Sequence, residues 1–202
     1  MTYPLKKNNN ILIISGSPKK DGNTATLIKW FSQGAHSRKA RIEVVNAAFL
    51  KYMTNGCTAC RACQKRAEYE CVIKDEASPV LARMARADTI VFATPLYFFA
   101  ASAQTKLILD RMFSLYKWDN ETDKFTTPLK GKTMVLIASA YEDVGLDALA
   151  EPFKLTADYT GMKFRSLLVP NAGVSGEIKN KPRWQKKTIA FGKDCGNPDY
   201  QI

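Results

Sequence analysis

The sequence predicts an α/β protein whose five-stranded parallel sheet carries helices on both faces. Short apolar, β-branched runs alternate with longer segments whose apolar residues recur at helical spacing, and the alternation repeats five times. The central runs are apolar throughout, as expected of strands buried on both sides. No linker, repeat or low-complexity segment divides the 202 residues, so we expect one domain over residues 1–202.

The elements follow one another in regular order. Asn10–Ser15 is the first predicted strand, and the apolar spacing after Asn23 predicts the first helix. Parallel strands joined in this way need right-handed crossovers. The later predicted elements are a strand at 41–47, a helix at 75–87, a strand at 88–94, a helix at 100–115, a polar loop at 117–130, a strand at 132–139, a helix at 144–161 interrupted near Pro152, a strand at 164–169 and a helix at 184–193.

Composition and charge exclude several classes of protein. The net charge of +11 could attract phosphate-bearing cofactors, acidic partners or nucleic acid, or could simply solvate the surface. The basic residues lack interleaved stacking aromatics and the spacing of known DNA-binding motifs, so we predict no nucleic-acid partner. Because no apolar run could cross a bilayer and residues 1–10 contain no secretory signal, we predict no membrane partner and a cytoplasmic location.

The loop after the first strand, residues 15–24, is the first candidate site. Ligands of open α/β sheets bind beyond the carboxyl ends of the strands. This loop combines hydroxyl, glycine, amide and lysine residues ahead of a helix, and the amides of a helix N-terminus attract phosphate. Its spacing matches neither the P-loop nor the dinucleotide fingerprint. The loop therefore predicts a mononucleotide phosphate site, with an ordinary capped turn as the alternative.

Two further strand ends carry weaker signals. Residues 94–99 read Thr-Pro-Leu-Tyr-Phe-Phe, which is an unusual concentration of aromatics for a solvated loop. A flat apolar ring could pack there, although burial under a helix or a partner subunit would also explain the composition. Residues 139–143 begin with small side chains that would allow a ligand to approach closely.

Four of the five cysteines form a cluster, and Cys195 stands apart. Such a cluster in a reduced chain indicates metal or redox chemistry more than disulfides. The spacing C-x₂-C-x₂-C-x₇-C favours a [4Fe–4S] cluster over zinc, which usually takes two separated knuckles. A structural or redox-active thiol loop is the other alternative. Because the segment follows the second strand, we expect any cluster to lie close to the bound cofactor. The candidate ligands are Cys57, Cys60, Cys63 and Cys71, within the segment 57–71.

Together these motifs resemble the NADPH-dependent FMN reductase family of the flavodoxin-like superfamily. The cysteine segment with Asp75 resembles the subgroup of iron–sulfur flavoproteins, and the resemblance runs from about residue 10 to about residue 170. It implies a flavodoxin-like fold with bound FMN. The matching motifs are Gly16-Ser17-Pro18-Lys19 with Gly22-Asn23-Thr24, then Thr94-Pro95-Leu96-Tyr97-Phe98, then Lys106 with Asp110-Arg111.

The resemblance also implies roles for individual residues. Lys106, Asp110 and Arg111 would organise a helix and the rim of the site, and no residue is predicted to be catalytic because FMN carries the chemistry. His36, the single histidine, is expected on the surface. The FMN phosphate would be held by Ser15, Ser17, Lys19, Asn23 and Thr24, one wall of the ring site would be Pro95, Leu96, Tyr97 and Phe98, and the other wall would be Ser139, Ala140 and Tyr141.

The predicted function is that of an FMN-dependent oxidoreductase, which passes electrons from NAD(P)H to a small acceptor such as a quinone or flavin. Two alternatives stay open: an iron–sulfur flavoprotein that carries electrons between redox proteins, and a zinc-stabilised binding module. We also expect a homo-oligomer, because a group of aromatic residues needs cover and the resemblance agrees. These aromatics are Tyr97, Phe98, Phe99, Tyr116 and Trp118.

Overall fold

The computed structural model describes residues 9–119, 121–122 and 124–197. Five parallel strands form the central sheet in the order β2-β1-β3-β7-β8, the doubly wound order of flavodoxin-like folds, and β4 pairs antiparallel with the end of β3. The predicted parallel sheet is confirmed. The strands are β1 Asn10–Ser15, β2 Arg41–Asn46, β3 Thr89–Tyr97, β4 Ala100–Ala101, β5 Lys117–Asp119, β6 Lys124–Thr126, β7 Thr133–Ser139 and β8 Lys163–Val169.

Helices cover both faces of the sheet, as predicted. One face packs against α1 and α5, with Phe31 and Leu27 among the fully buried side chains. The other face packs against α2, α3 and α4, where Phe92 and Phe153 contact each other with ring centroids 5.4 Å apart. The helices are α1 Asn23–His36, α2 Ser78–Met84, α3 Ala103–Arg111, α4 Leu146–Thr160 and α5 Pro182–Gly196.

The sheet places a crevice between β1 and β3. Strand β1 lies between β2 and β3, and its register aligns Ile13 with Val44 on one side and with Val91 on the other. The crossover from β1 to β2 runs through α1 on one face, whereas the crossover from β2 to β3 runs through α2 on the opposite face. Strand order therefore reverses at this point, where loops diverge and leave room for a ligand.

Three predicted elements differ from those observed. The segment 117–130, predicted as a polar loop, contains the hairpin β5–β6, in which Trp118 pairs with Phe125 and the aromatic side chains pack against neighbours. Helix α4 is not interrupted at Pro152, which lies in its middle and leaves only the carbonyl of Ala148 without the usual intrahelical amide donor. The predicted helix at 100–115 begins later, since Ala100 and Ala101 turn back against β3.

No helix in the described part of the chain has the length and apolar character needed to span a membrane.

Candidate functional site

A cleft of about 320 Å³ lies at the carboxyl ends of β1, β3 and β7. We call it the strand-end cleft. It brings together nearly all the residues predicted at these three strand ends. Its lining consists of Ser17, Lys19, Gly22, Asn23, Thr24, Pro95, Leu96, Tyr97, Ser139, Ala140, Tyr141, Gly173, Val174 and Ser175.

The start of α1 forms the polar end of the cleft. Gly22 is the N-cap and provides no side-chain cap, so the amides of the first helical turn point toward the cleft without an intrahelical partner. A Cβ atom at Gly22 would lie 3.2 Å from Cβ of Lys19 and 3.3 Å from Oγ of Ser175, so glycine keeps this end open. Ser17 Oγ accepts a hydrogen bond from the amide of Lys19 at 3.2 Å, which shapes the turn. The arrangement fits an anionic group.

Asn23 connects the two sides of this polar end. Its side-chain amide donates hydrogen bonds to the carbonyls of Gly173 and Val174, both at 3.1 Å, and its Oδ1 accepts from the amides of Gly176 and Ile178. The side chain predicted to hold a phosphate is therefore engaged in holding a loop. Its backbone amide, in the first turn of α1, remains directed at the cleft.

A network of buried hydroxyl groups joins the loop after β1 to the start of α3. Ser102 Oγ donates to the carbonyl of Gly16 at 2.7 Å, and the amide of Ser102 donates to Oγ1 of Thr94 at 3.0 Å. Gly16 has to be glycine, because a Cβ atom there would lie 1.8 Å from Oγ1 of Thr105. This close approach fixes the loop after β1 relative to the loop after β3.

Two predicted lining residues lie elsewhere. Ser15 is buried within β1 beneath the loop and does not line the cleft. Phe98 sits in the turn between β3 and β4 with a φ of 45° and is 98% exposed. Its side chain does not line the cleft, because the chain turns from β3 into β4 at this residue. Tyr97, one residue earlier, still lines the cleft.

The loop 173–175 also lines the cleft, although the sequence analysis did not predict it there. It follows β8, so the same strand-end rule that identified the other loops could have found it. The signal was present in two glycines, Gly173 and Gly176, which adopt φ angles of 72° and 85°. Such angles allow the tight path that brings Val174 and Ser175 to the cleft.

The cysteine segment forms a second site, which we call the cysteine cavity. All four predicted ligands line one small cavity, together with Arg111, Phe113 and residues next to the cysteines in the chain. Two of the thiols are exposed and two are buried. Within the described ranges, no three Cys, His, Asp or Glu side chains converge closely enough to hold a single metal ion. The four predicted ligands in its lining are Cys57, Cys60, Cys63 and Cys71.

A buried ion pair supports the cysteine cavity. Arg111 is fully buried, and its Nη1 contacts both carboxylate oxygens of Asp75 at 2.8 and 2.7 Å, while its Nη2 donates to the carbonyl of Ile73 at 3.1 Å. Its buried Nε has no hydrogen-bond partner among the described residues. Burial lowers the pKa of Arg111, but Asp75 and Cys71 outweigh that effect and raise it. Arg111 therefore stays charged beside the thiols, and the Asp75 carboxylate balances its charge.

The surroundings of the thiols fit an anionic polynuclear centre. Hydrogen bonds from the amide of Ala62 and the side chain of Thr58 lower the pKa of Cys60, which favours the thiolate that binds metals. Lys117 donates from Nζ to the carbonyl of Cys63 and adds another positive charge nearby. Four thiols around one cavity supply the donor set of such a centre, and the buried Nε–H of Arg111 has no other partner among the described residues.

The two sites lie at opposite ends of α3. Ser102, the N-cap of this helix, contacts the loop after β1, whereas Arg111 at its last turn lines the cysteine cavity. At 1.5 Å per residue, Ser102 and Arg111 lie about 14 Å apart along the helix axis. The expectation that any cluster lies close to the bound cofactor stays a prediction. The segment leaves the strand edge and runs back along α3, where Asp75 and Arg111 anchor it.

The remaining predicted residues have structural roles. Lys106 and Asp110 form an ion pair one turn apart on the exposed side of α3, and neither lines the strand-end cleft. His36 is exposed at the last turn of α1. Cys195 is buried far from the other cysteines in sequence, and burial raises its pKa to about 12, so it stays a thiol.

The sheet order and the helices on both faces define a protein of the flavodoxin-like fold class. The chain belongs to the NADPH-dependent FMN reductase family, whose profile matches residues 9–181. The predicted family is confirmed.

Relatives and solved structures agree with this assignment. An iron–sulfur flavoprotein of Methanocaldococcus jannaschii is 33% identical over 101 residues, which is 50% of this chain and 50% of that protein. The chain thus spans about half the length of the curated relatives it matches. An FMN-dependent NADH-azoreductase from Bacillus anthracis in complex with FMN superposes with a TM-score of 0.67 at 17% identity, covering 94% of this chain and 100% of the azoreductase. An NAD(P)H:quinone oxidoreductase from Methanothermobacter marburgensis superposes with a TM-score of 0.69 at 14% identity, covering 93% of this chain and 97% of the oxidoreductase.

Proposed function

We propose that this chain binds FMN in the strand-end cleft and acts as an oxidoreductase that moves electrons from NAD(P)H to a small acceptor, such as a quinone or free flavin. The observation that carries the proposal is the convergence of four strand-end loops on one cleft, with an uncapped helix N-terminus at one end and aromatic side chains at the other. The family and the FMN-bound azoreductase support this choice of cofactor.

The residues of the cleft divide into two groups. The first-turn amides of α1, with Thr24, Ser17 and Lys19, would hold the phosphate by hydrogen bonds and charge. Pro95 and Tyr97 on one side and Tyr141 on the other would enclose a flat ring and exclude water from it. FMN, when bound, supplies hydride acceptance and onward electron transfer, so the protein contributes orientation and electrostatics and needs no acid–base residue.

The phosphate site is tested by the double variant Ser17→Ala/Thr24→Ala. Each lost hydrogen bond to a charged phosphate is worth about 1.5–3 kcal/mol, so FMN should bind at least tenfold more weakly. Fluorescence titration of the flavin-free protein measures the effect. Ser37→Ala, at the other end of α1, is the matched control. Unchanged FMN affinity in the double variant would contradict the assignment of the loop after β1 as the phosphate site.

Turnover measurements test whether the protein oxidises NADH or NADPH and passes the electrons to a small acceptor. Steady consumption of NADH or NADPH by the FMN-loaded protein with a soluble quinone supports an enzyme. FMN binding without such turnover, together with single-electron exchange with a redox protein, supports an electron carrier instead.

The cysteine cavity favours this second candidate function, an iron–sulfur flavoprotein. Four thiols and the buried Arg111 would hold a [4Fe–4S] cluster, which supplies one-electron transfer when present. The curated relatives named iron–sulfur flavoproteins agree with it. A zinc-stabilised module has less support, because zinc usually takes two separated Cys-x-x-Cys knuckles and this segment has three closely spaced cysteines instead.

Anaerobic purification followed by iron and acid-labile sulfide analysis tests the cluster. We expect about four iron and four sulfide per chain, and loss of both in Cys71→Ser. Cys195→Ser is the matched control, because that buried thiol lies outside the cavity. Protein with full FMN and no iron would exclude the cluster and leave the simple FMN oxidoreductase.

We further propose that the chain forms a homo-oligomer through the β3–β4 turn. Phe98 is 98% exposed and Phe99 is 54% exposed, which is a large aromatic surface to leave in water. Phe99 packs on Gly145 at the start of α4, so the turn is held firmly in place. Light scattering over a wide concentration range should give a mass above that of one chain, and a constant monomer mass would contradict the proposal.

A further inference from the structure

A second large pocket lies beside the cysteine cavity, and nothing in the proposed FMN function uses it. Its volume is about 490 Å³, which exceeds that of the strand-end cleft, and the two share no lining residue. We call it the aromatic pocket. Its lining consists of Arg61, Gln64, Lys65, Phe113, Tyr116, Trp118 and Tyr159.

The aromatic walls hold one another in place. Tyr116 packs edge-on against Phe113, with ring centroids 4.9 Å apart, and against Tyr159 at 6.0 Å. Phe125 lies behind the pocket, stacked on Tyr159 with planes 10° apart and on Trp118 with planes 11° apart. Rings packed at these angles and distances stabilise each other. The pocket therefore presents preformed apolar walls and needs no rearrangement to accept a flat ring.

Gln64 holds the cysteine segment against these walls. Its Nε2 donates to the carbonyls of Tyr116 at 2.9 Å and Phe113 at 3.4 Å, and its Oε1 accepts from the amide of Trp118 at 3.0 Å. All these bonds go to backbone groups, so they fix the spacing between the cysteine segment and β5. The two charged lining residues, Arg61 and Lys65, come from the same short stretch of chain as Gln64.

The charge of the pocket is positive. Arg61 and Lys65 line it, and in the part of the chain that the structure describes no acidic side chain does so. Neither cation forms an ion pair with another described residue. Both cations are exposed, so a neutral ring would leave them to the solvent and use none of their charge, and a small aliphatic acid would leave the aromatic walls uncovered. A ligand that uses both features carries a flat ring and an acidic group.

We propose that the aromatic pocket binds a planar aromatic anion, that is, a fused or single ring bearing a carboxylate or sulfonate. The ring packs between the aromatic walls, and the acidic group pairs with Arg61 and Lys65. Binding here does not require FMN or a cluster, so it stands apart from the proposed function.

The test uses naphthalene-2-sulfonate as the probe and FMN-saturated protein, so that the strand-end cleft is occupied. Calorimetry should show one saturable site per chain. The neutral analogue 2-naphthalenemethanol and the aliphatic methanesulfonate should each bind at least about tenfold more weakly, because each lacks one of the two features. Equal binding of the neutral analogue would overturn the assigned ligand class.

Variants locate the probe. Lys65→Gln and Arg61→Gln should each weaken binding of the sulfonate about three- to tenfold while leaving the neutral analogue unaffected. Lys29→Gln, on α1 at the opposite face of the sheet, removes the same charge and should have no effect. The proposal fails if all three variants bind alike, if excess FMN competes with the probe, or if the Lys65 and Arg61 variants change the oligomeric mass, which would assign the surface to a second copy.

Discussion

The strand-end cleft and the cysteine cavity lie at the two ends of α3, and the chain builds them by different means. The cleft is formed by four loops that leave the sheet at one edge and are joined by hydrogen bonds to backbone groups, such as those of Asn23 and Ser102. The cysteine cavity is formed by a long irregular segment folded back on the helix, and its anchor is the buried pair of Asp75 and Arg111.

Because the two sites are built differently, we expect variants at one to affect ligand binding and variants at the other to affect stability. The hydrogen bonds of Asn23 at the partly exposed cleft can be replaced by water, so losing one changes the geometry of the site more than the stability of the fold. A buried ion pair has no such substitute, because removing one partner leaves the other charged and unsolvated. Variants at the cleft should therefore act mainly on FMN, and variants of the pair mainly on folding.

The largest expected effect is that of Arg111→Met. It leaves the Asp75 carboxylate buried without its partner, so the free energy of unfolding should fall by about 3–5 kcal/mol. Urea unfolding followed by circular dichroism measures this loss. Adding Asp75→Leu should recover part of it, since an apolar pair avoids the unpaired charge. A loss below about 1 kcal/mol would contradict the role given to the pair.

The same pair gives a pH dependence. Burial raises the pKa of Asp75, but hydrogen bonds from Arg111 and from the amides of Met53 and Ser78 outweigh burial and lower it overall. Because the folded pKa lies below the unfolded value, the stabilisation is fully present above about pH 4 and is lost as the pH falls through the folded value. The difference in the free energy of unfolding between the wild type and Arg111→Met should therefore become smaller over that acidic range.

Gly16→Ala tests the join between the cleft and α3. The added Cβ would lie 1.8 Å from Oγ1 of Thr105 and 2.8 Å from Oγ of Ser102, so the loop or the helix has to shift. Overpacking of this kind costs about 1–3 kcal/mol, and here we also expect weaker FMN binding. Thermal unfolding and FMN titration measure the two effects. Adding Thr105→Ala should restore part of both, and no restoration would point to a different cause.

The sequence predicted where the cleft lies in the fold but not the path of the cysteine segment, and the reason is physical. Apolar strands such as β1 and β3 are locally encoded, and parallel strands bring their carboxyl ends to one edge, so the loops after them had to meet. The path of the cysteine segment depends on the contact of Asp75 with Arg111, which lies 36 residues away. The hairpin β5–β6 was missed because its polar composition conceals the packing of Trp118 and Phe125.

Asn23→Ala measures how far the loop 173–178 supports the cleft. The substitution removes the hydrogen bonds that join α1 to this loop, although water can satisfy the exposed groups. FMN should bind about 1–2 kcal/mol more weakly, mainly through faster release, with a smaller change in unfolding temperature. Stopped-flow dissociation and calorimetry separate these effects. Asn46→Ala is the control, because that side chain caps a turn outside the cleft. Equal release rates would contradict the supporting role.

The smallest expected effect on FMN is that of Phe98→Asn. The side chain is 98% exposed and outside the cleft, and asparagine tolerates the φ of 45° at this turn. FMN affinity should therefore change by less than about 0.5 kcal/mol, whereas the mass in light scattering should fall toward one chain if the turn forms the interface. Tyr97→Ala is the matched comparison, because Tyr97 lines the cleft and its loss should weaken FMN binding. If Phe98→Asn weakened FMN binding as much as Tyr97→Ala does, the turn of one subunit would complete the cleft of another, and the cleft would no longer be a site built by one chain alone.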